Sequence, residues 1–251
     1  MVLAGRHAVV TGGGRGIGRA VAAALRKAGA RVSIVGRDAG VLAEAVGDGA
    51  ADAAAACDVR DETAMATCLS ELAAAQPFDI VVANAGAVET GPFQRSDAER
   101  FRRMHEINLI GTINAFHPAL PGMVARSHGR LIAIASTAGH RGYPYVSAYV
   151  AAKHAVVGLV RSLALETAKS GVTVNAVCPG YTQTDMVADS VAAITAKTGI
   201  SREQALAELV KANPQGRLIA PDEIAQAVLH LCGPNSGSIT GQSLLINGGE
   251  F

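Results

Sequence analysis

The sequence predicts an α/β fold, with one doubly wound parallel sheet of about seven strands and helices on both faces. Three observations carry this expectation. Short β-rich runs alternate with longer helical ones, several strands are apolar throughout, and a glycine cluster joins the first strand to the first helix. Strands buried on both faces are continuously apolar because helices cover each side of a parallel sheet. In order, His7–Val10 is the first strand. Gly16–Ala28 is an Ala/Leu-rich helix stopped by Gly29. Arg31–Val35 and Ala53–Asp58 are the next strands, and Asp61–Ala75 is a helix with acids at its favourable dipole end. Asp79–Ala83 is a strand, Ala98–Val124 one long helical region, and Arg130–Ala135 a strand. Ser147–Ala168 is helical, Val172–Val177 a strand, Pro221–Leu231 a helix and Ser243–Ile246 the last strand. Asp185–Asn213 interrupts the alternation with two short helix-prone pieces. It lies near the C-terminal strand ends, where such sheets bind ligands, and reads as a substrate lid in an otherwise single domain, 1–251.

Composition narrows the function. Of 251 residues, 49% are hydrophobic and 17% charged, which supports a large core and excludes disorder. A net charge of +1 without a basic block, and 4% aromatics, argue against nucleic acid as a partner. No apolar run reaches the roughly 20 residues that span a bilayer, and the first residues do not read as a signal peptide, so a cytoplasmic protein is expected. Cys57, Cys68, Cys178 and Cys232 have no metal-ligand spacing and read as buried free thiols. No metal site is expected.

Thr11–Gly18, TGGGRGIG, follows a strand and opens a helix. Its glycines fit GxxxGxG through Gly12, Gly16 and Gly18, not the strict GxGxxG. Missing side chains let the backbone approach a pyrophosphate at a helix N-terminus, with Arg15 and Ile17 in the same turn. A nicotinamide dinucleotide is therefore the expected cofactor. At the end of the second strand, glycine stands where an NAD site carries its acid, followed by Arg37 and Asp38. A guanidinium can fork onto a 2′-phosphate, with Arg15 as a second contact, so NADP(H) is expected in preference to NAD(H). The competing reading leaves Arg37 solvated and sends Asp38 to the ribose.

Tyr149 and Lys153, four apart in YVAAK, share one face of a helix. An ammonium beside a phenol favours the phenolate and brings its proton within reach of acid–base chemistry near neutral pH. His140, Arg141, Tyr143 and Tyr145 precede the pair, where a pocket wall would stand; His154 reads as structural.

Together these motifs resemble a short-chain dehydrogenase/reductase along essentially the whole chain, particularly 3-oxoacyl reductases and polyketide ketoreductases. TGGGRGIG resembles that family's cofactor loop in its Rossmann-type fold. CDV (Cys57–Val59) resembles the adenine segment, with Asp58 as ligand of the adenine amino group beside Val59. ANAG (Ala83–Gly86) resembles NNAG, supplying Asn84, Ala85 and Gly86; Ala83 departs from the first Asn. CPGYTQTDM supplies Pro179, Gly180, Thr182 and Thr184 beside the nicotinamide. Asn247-Gly248-Gly249 replaces the common DGG.

The resemblance implies a catalytic tetrad of Asn108, Ser136, Tyr149 and Lys153. Tyr149 is the general acid of reduction and Ser136 a donor to the substrate oxygen. Lys153 depresses the tyrosine pKa and holds the ribose, and Asn108 anchors a water that leads to solvent. It further implies strand order 3-2-1-4-5-6-7 and a homotetramer. The expected reaction interconverts a ketone and a secondary alcohol, with 3-oxoacyl thioesters as the leading substrates. The alternatives are a free secondary or cyclic alcohol, a non-catalytic dinucleotide-binding regulator, and a sugar-nucleotide epimerase or dehydratase, whose longer chain and TGxxGxxG loop are lacking here.

Overall fold

The computed structural model describes residues 1–251. Its elements run β1 His7–Thr11, α1 Gly16–Lys27, β2 Arg31–Gly36, α2 Ala39–Gly47, β3 Ala53–Ala56, α3 Glu62–Ala73 and β4 Ile80–Ala83. Then follow α4 Ala98–His105, α5 Gly111–Phe116, α6 Leu120–Ala125, β5 Gly129–Ile134, α7 Ser147–Thr167 and β6 Val172–Pro179. Last come α8 Asp185–Thr198, α9 Arg202–Val210, α10 Pro221–Cys232 and β7 Ser243–Ile246. The seven strands form one parallel sheet in the order β3-β2-β1-β4-β5-β6-β7, as expected.

The continuously apolar strands are the central ones. Every residue of β1, β4, β5 and β6 is buried. On one face α1, α2 and α10 pack over Val10, Ile34 and Ile132; on the other α3, α5 and α7 pack over Val9, Val81 and Leu131. The two cores hold 24 buried residues each, so neither face of the sheet is left to solvent.

Four departures from the sequence expectations have physical causes. α2 was not expected; Asp38 starts it by accepting from the backbone N–H of Gly40 and Val41 at 3.0 and 3.1 Å. β3 ends at Ala56, because Cys57 N–H makes the last bond to Gly36 and the chain then turns away. The long region 98–124 is not one helix. A π turn at Glu106–Ile110, closed by Gly111 N–H on the Glu106 carbonyl, separates α4 from α5. Finally, α7 has 21 residues and a mean hydropathy of 1.3 over its most apolar stretch, enough by length and composition to cross a membrane. Its apolar content is used inside the protein, where Val156, Val157, Val160 and Ala164 pack onto the sheet.

The chain leaves the C-terminal strand ends at Gly12, Gly36, Asn84, Ala135 and Gly180. The expected site residues gather along this one edge.

Candidate active site

The glycine turn is shaped by close approach. Gly12 has φ +64°, and a Cβ there would lie 2.8 Å from Asn84 Nδ2 and 3.0 Å from Ala85 Cα. A Cβ on Gly18 would strike the Gly12 carbonyl. Gly16 has φ +47°, and a Cβ there would lie 3.1 Å from Thr184 Cγ2. Asn84 stitches the turn to β4: its Nδ2 donates to the carbonyls of Thr11 and Gly12 at 3.0 and 3.1 Å. Thr11 Oγ1 accepts from the N–H groups of Asn84 and Ala85 at 3.0 and 3.1 Å. Ile17 packs beneath, against the core. The N-terminus of α1 has neither a side-chain cap nor an acidic residue in its first turn. Its orphan N–H groups and positive dipole end fit a pyrophosphate.

At the end of β2, Arg15 and Arg37 are both exposed. Asp38 spends Oδ1 on the α2 cap and places Oδ2 3.2 Å from Arg15 Nη2. Asp58, the expected adenine ligand, is paired. Arg60 forks onto it, with Nε 3.0 Å from Oδ1 and Nη2 2.6 Å from Oδ2, and this pairing holds the carboxyl below its usual range. Val59 is anchored by Asn114, a residue the sequence reading passed over, whose buried Nδ2 donates to the Val59 carbonyl at 2.9 Å. Pro179 ends β6, and Gly180 N–H bonds Ile246. Thr182 Oγ1 donates to the Gly180 carbonyl at 3.0 Å, and Thr184 precedes α8.

The tetrad residues converge. Lys153 is buried, 4% exposed, and its Nζ donates to the Ile134 carbonyl at 2.9 Å. The same Nζ lies 5.7 Å from the centre of the Tyr149 ring. Asn108, 1% exposed, sits on the π turn and donates from Nδ2 to the carbonyls of Ala87 and Met104, each at 3.0 Å. Its Oδ1 is buried and receives no hydrogen bond from any protein group. A Cβ on Gly86 would lie 2.7 Å from that Oδ1 and 3.7 Å from Lys153 Nζ, so only glycine keeps the space between them. Ser136 Oγ accepts from Ala138 N–H at 3.1 Å, opening a short 3₁₀ turn.

The electrostatics correct one expectation. Burial pushes Tyr149 above its ordinary pKa, and the nearby Ser136 hydroxyl pulls it back. Lys153 does not set the direction of that shift; it is itself pushed down to about 8, because burial disfavours its ammonium. In the protein by itself, desolvation at the cleft floor outweighs the attraction expected between the pair.

The pocket-wall residues have diverse partners. His140 Nε2 lies 3.5 Å from Cys178 Sγ, and Tyr143 bonds Thr137 and Glu250. Tyr145 is 60% exposed, with φ +67°. His154 bonds the Val150 carbonyl through Nδ1, away from the site. All four cysteines are free and buried, as expected.

An anion-cradling glycine turn beside a Ser, Tyr and Lys cluster, at the strand ends of a doubly wound sheet, defines a nicotinamide-dependent oxidoreductase. The comparisons with known proteins agree. Residues 12–250 match the family described as enoyl-(acyl carrier protein) reductase. Acetoacetyl-CoA reductase of Shinella zoogloeoides is 36% identical over 252 residues, covering 98% of each chain. D-beta-hydroxybutyrate dehydrogenase of Rhizobium meliloti is 36% identical, covering 97% of this chain and 98% of its own. A crystal structure of an actinorhodin polyketide ketoreductase variant with NADPH superimposes with a TM-score of 0.93 at 34% identity, covering 98% and 97% of the two chains. Levodione reductase gives 0.93 at 29% identity, covering 99% and 98%. The chain belongs to the short-chain dehydrogenase/reductase family and interconverts a ketone and a secondary alcohol.

Proposed function

We propose that this protein is an NADP(H)-dependent reductase of 3-oxoacyl thioesters. The convergence of Ser136, Tyr149, Lys153 and Asn108 behind the glycine turn carries the reading. The bound nicotinamide dinucleotide supplies or accepts the hydride. Ser136 donates a hydrogen bond to the substrate oxygen as negative charge develops there. Tyr149 gives its proton to that oxygen in reduction and takes it back in oxidation. A phenol held above its ordinary pKa remains protonated at neutral pH, the state the acid of a reduction needs. Lys153, with donors left beyond its bond to Ile134, holds the nicotinamide ribose. Asn108 presents its buried Oδ1 to a water on the route that returns the proton from solvent.

The preference for NADP(H) is supported at the end of β2. Arg37 and Arg15 are exposed there, while the nearby carboxylates are engaged: Asp38 caps α2 and Asp58 lies in the fork of Arg60. The helices α8 and α9 act as a substrate lid: Val187 and Val191 of α8, Leu206 of α9 and Leu218 beyond them line one cavity. The thioester class is supported by the relative named acetoacetyl-CoA reductase, and the free-ketone alternative by the likeness to levodione reductase. The enzyme works in the cytoplasm as a homotetramer formed on the helical region 98–124 and α7, where Leu165 is 82% exposed.

The test is a panel of 3-oxoacyl thioesters and free ketones, followed by loss of NADPH or NADH absorbance. Thioester reduction with NADPH is expected, and Tyr149→Phe should bind NADPH while losing about 10²- to 10⁴-fold in kcat. Faster turnover of free ketones overturns the substrate class. Near-parental kcat in the Phe variant overturns the assignment of the acid.

A further inference from the structure

The segment after β7 returns to the ketone side of the site. Gly248 and Gly249 both have positive φ, +64° and +88°, which turns the chain sharply. Asn247 staples the turn: its Oδ1 accepts from Gly249 N–H at 3.1 Å, and its Nδ2 donates to the Phe251 carbonyl at 3.5 Å. An aspartate at 247 could not make the second bond, which gives NGG in place of DGG a local reason.

The turn delivers Glu250, whose side chain is only 4% exposed. Tyr143 Oη donates to Glu250 Oε1 at 2.6 Å, and Thr137 Oγ1 lies 2.9 Å from the same Oη. A phenol has one proton. With the hydrogen bond from Tyr143 donated to the carboxylate, Thr137 donates its own to Tyr143, so a directed chain runs Thr137, Tyr143, Glu250. Arg141 Nη1 stands 3.5 Å from the same carboxylate oxygen, and its guanidinium carbon lies 5.4 and 5.2 Å from the ring centres of Tyr143 and Phe251. The other carboxylate oxygen would be 3.7 Å from a Cβ on Gly180. One buried carboxylate thus ties the loop that follows Ser136 to the turn that follows β7.

We propose that Glu250 is a positioning residue for ketone reduction. It holds Tyr143 and Arg141, these fix the corner at Thr137, and the corner sets the hydroxyl that Ser136 offers the substrate oxygen. The proposal rests on the role given to Ser136 above.

The experiment compares Glu250→Ala, Glu250→Gln, Tyr143→Phe and the Ala/Phe double variant. The readouts are kcat and KM for a reduced ketone, NADPH Kd by fluorescence, and hydrogen exchange across residues 137–146. Glu250→Ala should lower kcat at least tenfold, leave NADPH Kd within twofold, and speed exchange in that loop. Glu250→Gln keeps an acceptor for Tyr143 and should recover most of kcat. Tyr143→Phe removes the same bond with little change in volume, and the double variant should lose no more than Glu250→Ala alone. Unchanged kcat in Glu250→Ala, a Gln variant as impaired as Ala, or additive losses overturn the proposal. If the parent reduces no ketone, the functional reading fails instead, and loop exchange still decides whether Glu250 holds the loop. Should Glu250→Ala fail to fold, Tyr143→Phe decides: retained kcat overturns the proposal, and a tenfold loss at unchanged NADPH Kd supports it.

Discussion

Replacing Lys153 with methionine probes the buried ammonium without relying on turnover. The native chain gives up the Lys153 proton near pH 8, while an unfolded chain holds it to about 10.5. Between those values the unfolded state binds more protons, so stability contributed by this group rises with pH. The full separation corresponds to about 3 kcal/mol, of which about 2 kcal/mol develops between pH 7 and 9.5. The wild-type curve alone would mix this with the cysteines, whose raised pKa values act in the opposite direction over the same range. Those groups are present in both proteins, so the difference between wild type and Lys153→Met reports the lysine together with its coulombic coupling to Cys178. Methionine also forfeits the bond to the Ile134 carbonyl, which offsets the two curves and leaves their slopes unaffected. Guanidinium unfolding at half-unit steps from pH 7 to 9.5 measures the difference. Wild type should gain about 2 kcal/mol on the variant across that range. A difference constant to within about 0.5 kcal/mol would refute the claim that burial has lowered this pKa.

Two further substitutions test the cofactor corner and the tetrad. Arg37→Glu should raise the NADPH KM by about 30- to 100-fold, as expected for losing a charge-assisted contact, while changing the NADH value little. Equal effects on both cofactors would remove Arg37 from 2′-phosphate recognition. Gly86→Ala places a methyl between Asn108 Oδ1 and Lys153 Nζ; unfolding should show a loss of about 1–3 kcal/mol, with kcat reduced at least tenfold. Parental kcat in a fully folded Gly86→Ala protein would show that this gap has no role in proton handling.

The sheet and glycine turn were legible because both are local patterns: continuous apolar runs, and glycines that open a helix. Where the sequence misled, side chains had partners that spacing does not reveal. Asp38 was weighed as a ribose ligand, which hid its role as the cap of α2, although AGVLAEAVG behind it is good helix sequence. Asp58 also meets the arginine two residues on through both its oxygens, a pairing that CDVR itself signals. The break at 106–110 has no proline or glycine within it. It is accompanied by bonds from Asn108 to Ala87 and Met104, invisible without tertiary structure. The direction of the Tyr149 shift depends on depth in the cleft, which a spacing of four cannot report. Glu250 lies more than a hundred positions from its partner Tyr143, and no motif marked it.

The π turn at Glu106–Ile110 stores its information in a count of residues. An α-helix wound through the same segment would need one residue fewer per hydrogen-bonded ring. Asn108 would then rotate by about 100° relative to one flanking helix or the other. A one-codon deletion here would therefore leave a more regular helix while taking the asparagine from Ala87 and Met104 and turning it away from Lys153. Such a lesion would cost turnover as well as packing. At this point in the chain, the number of residues matters as much as their identity.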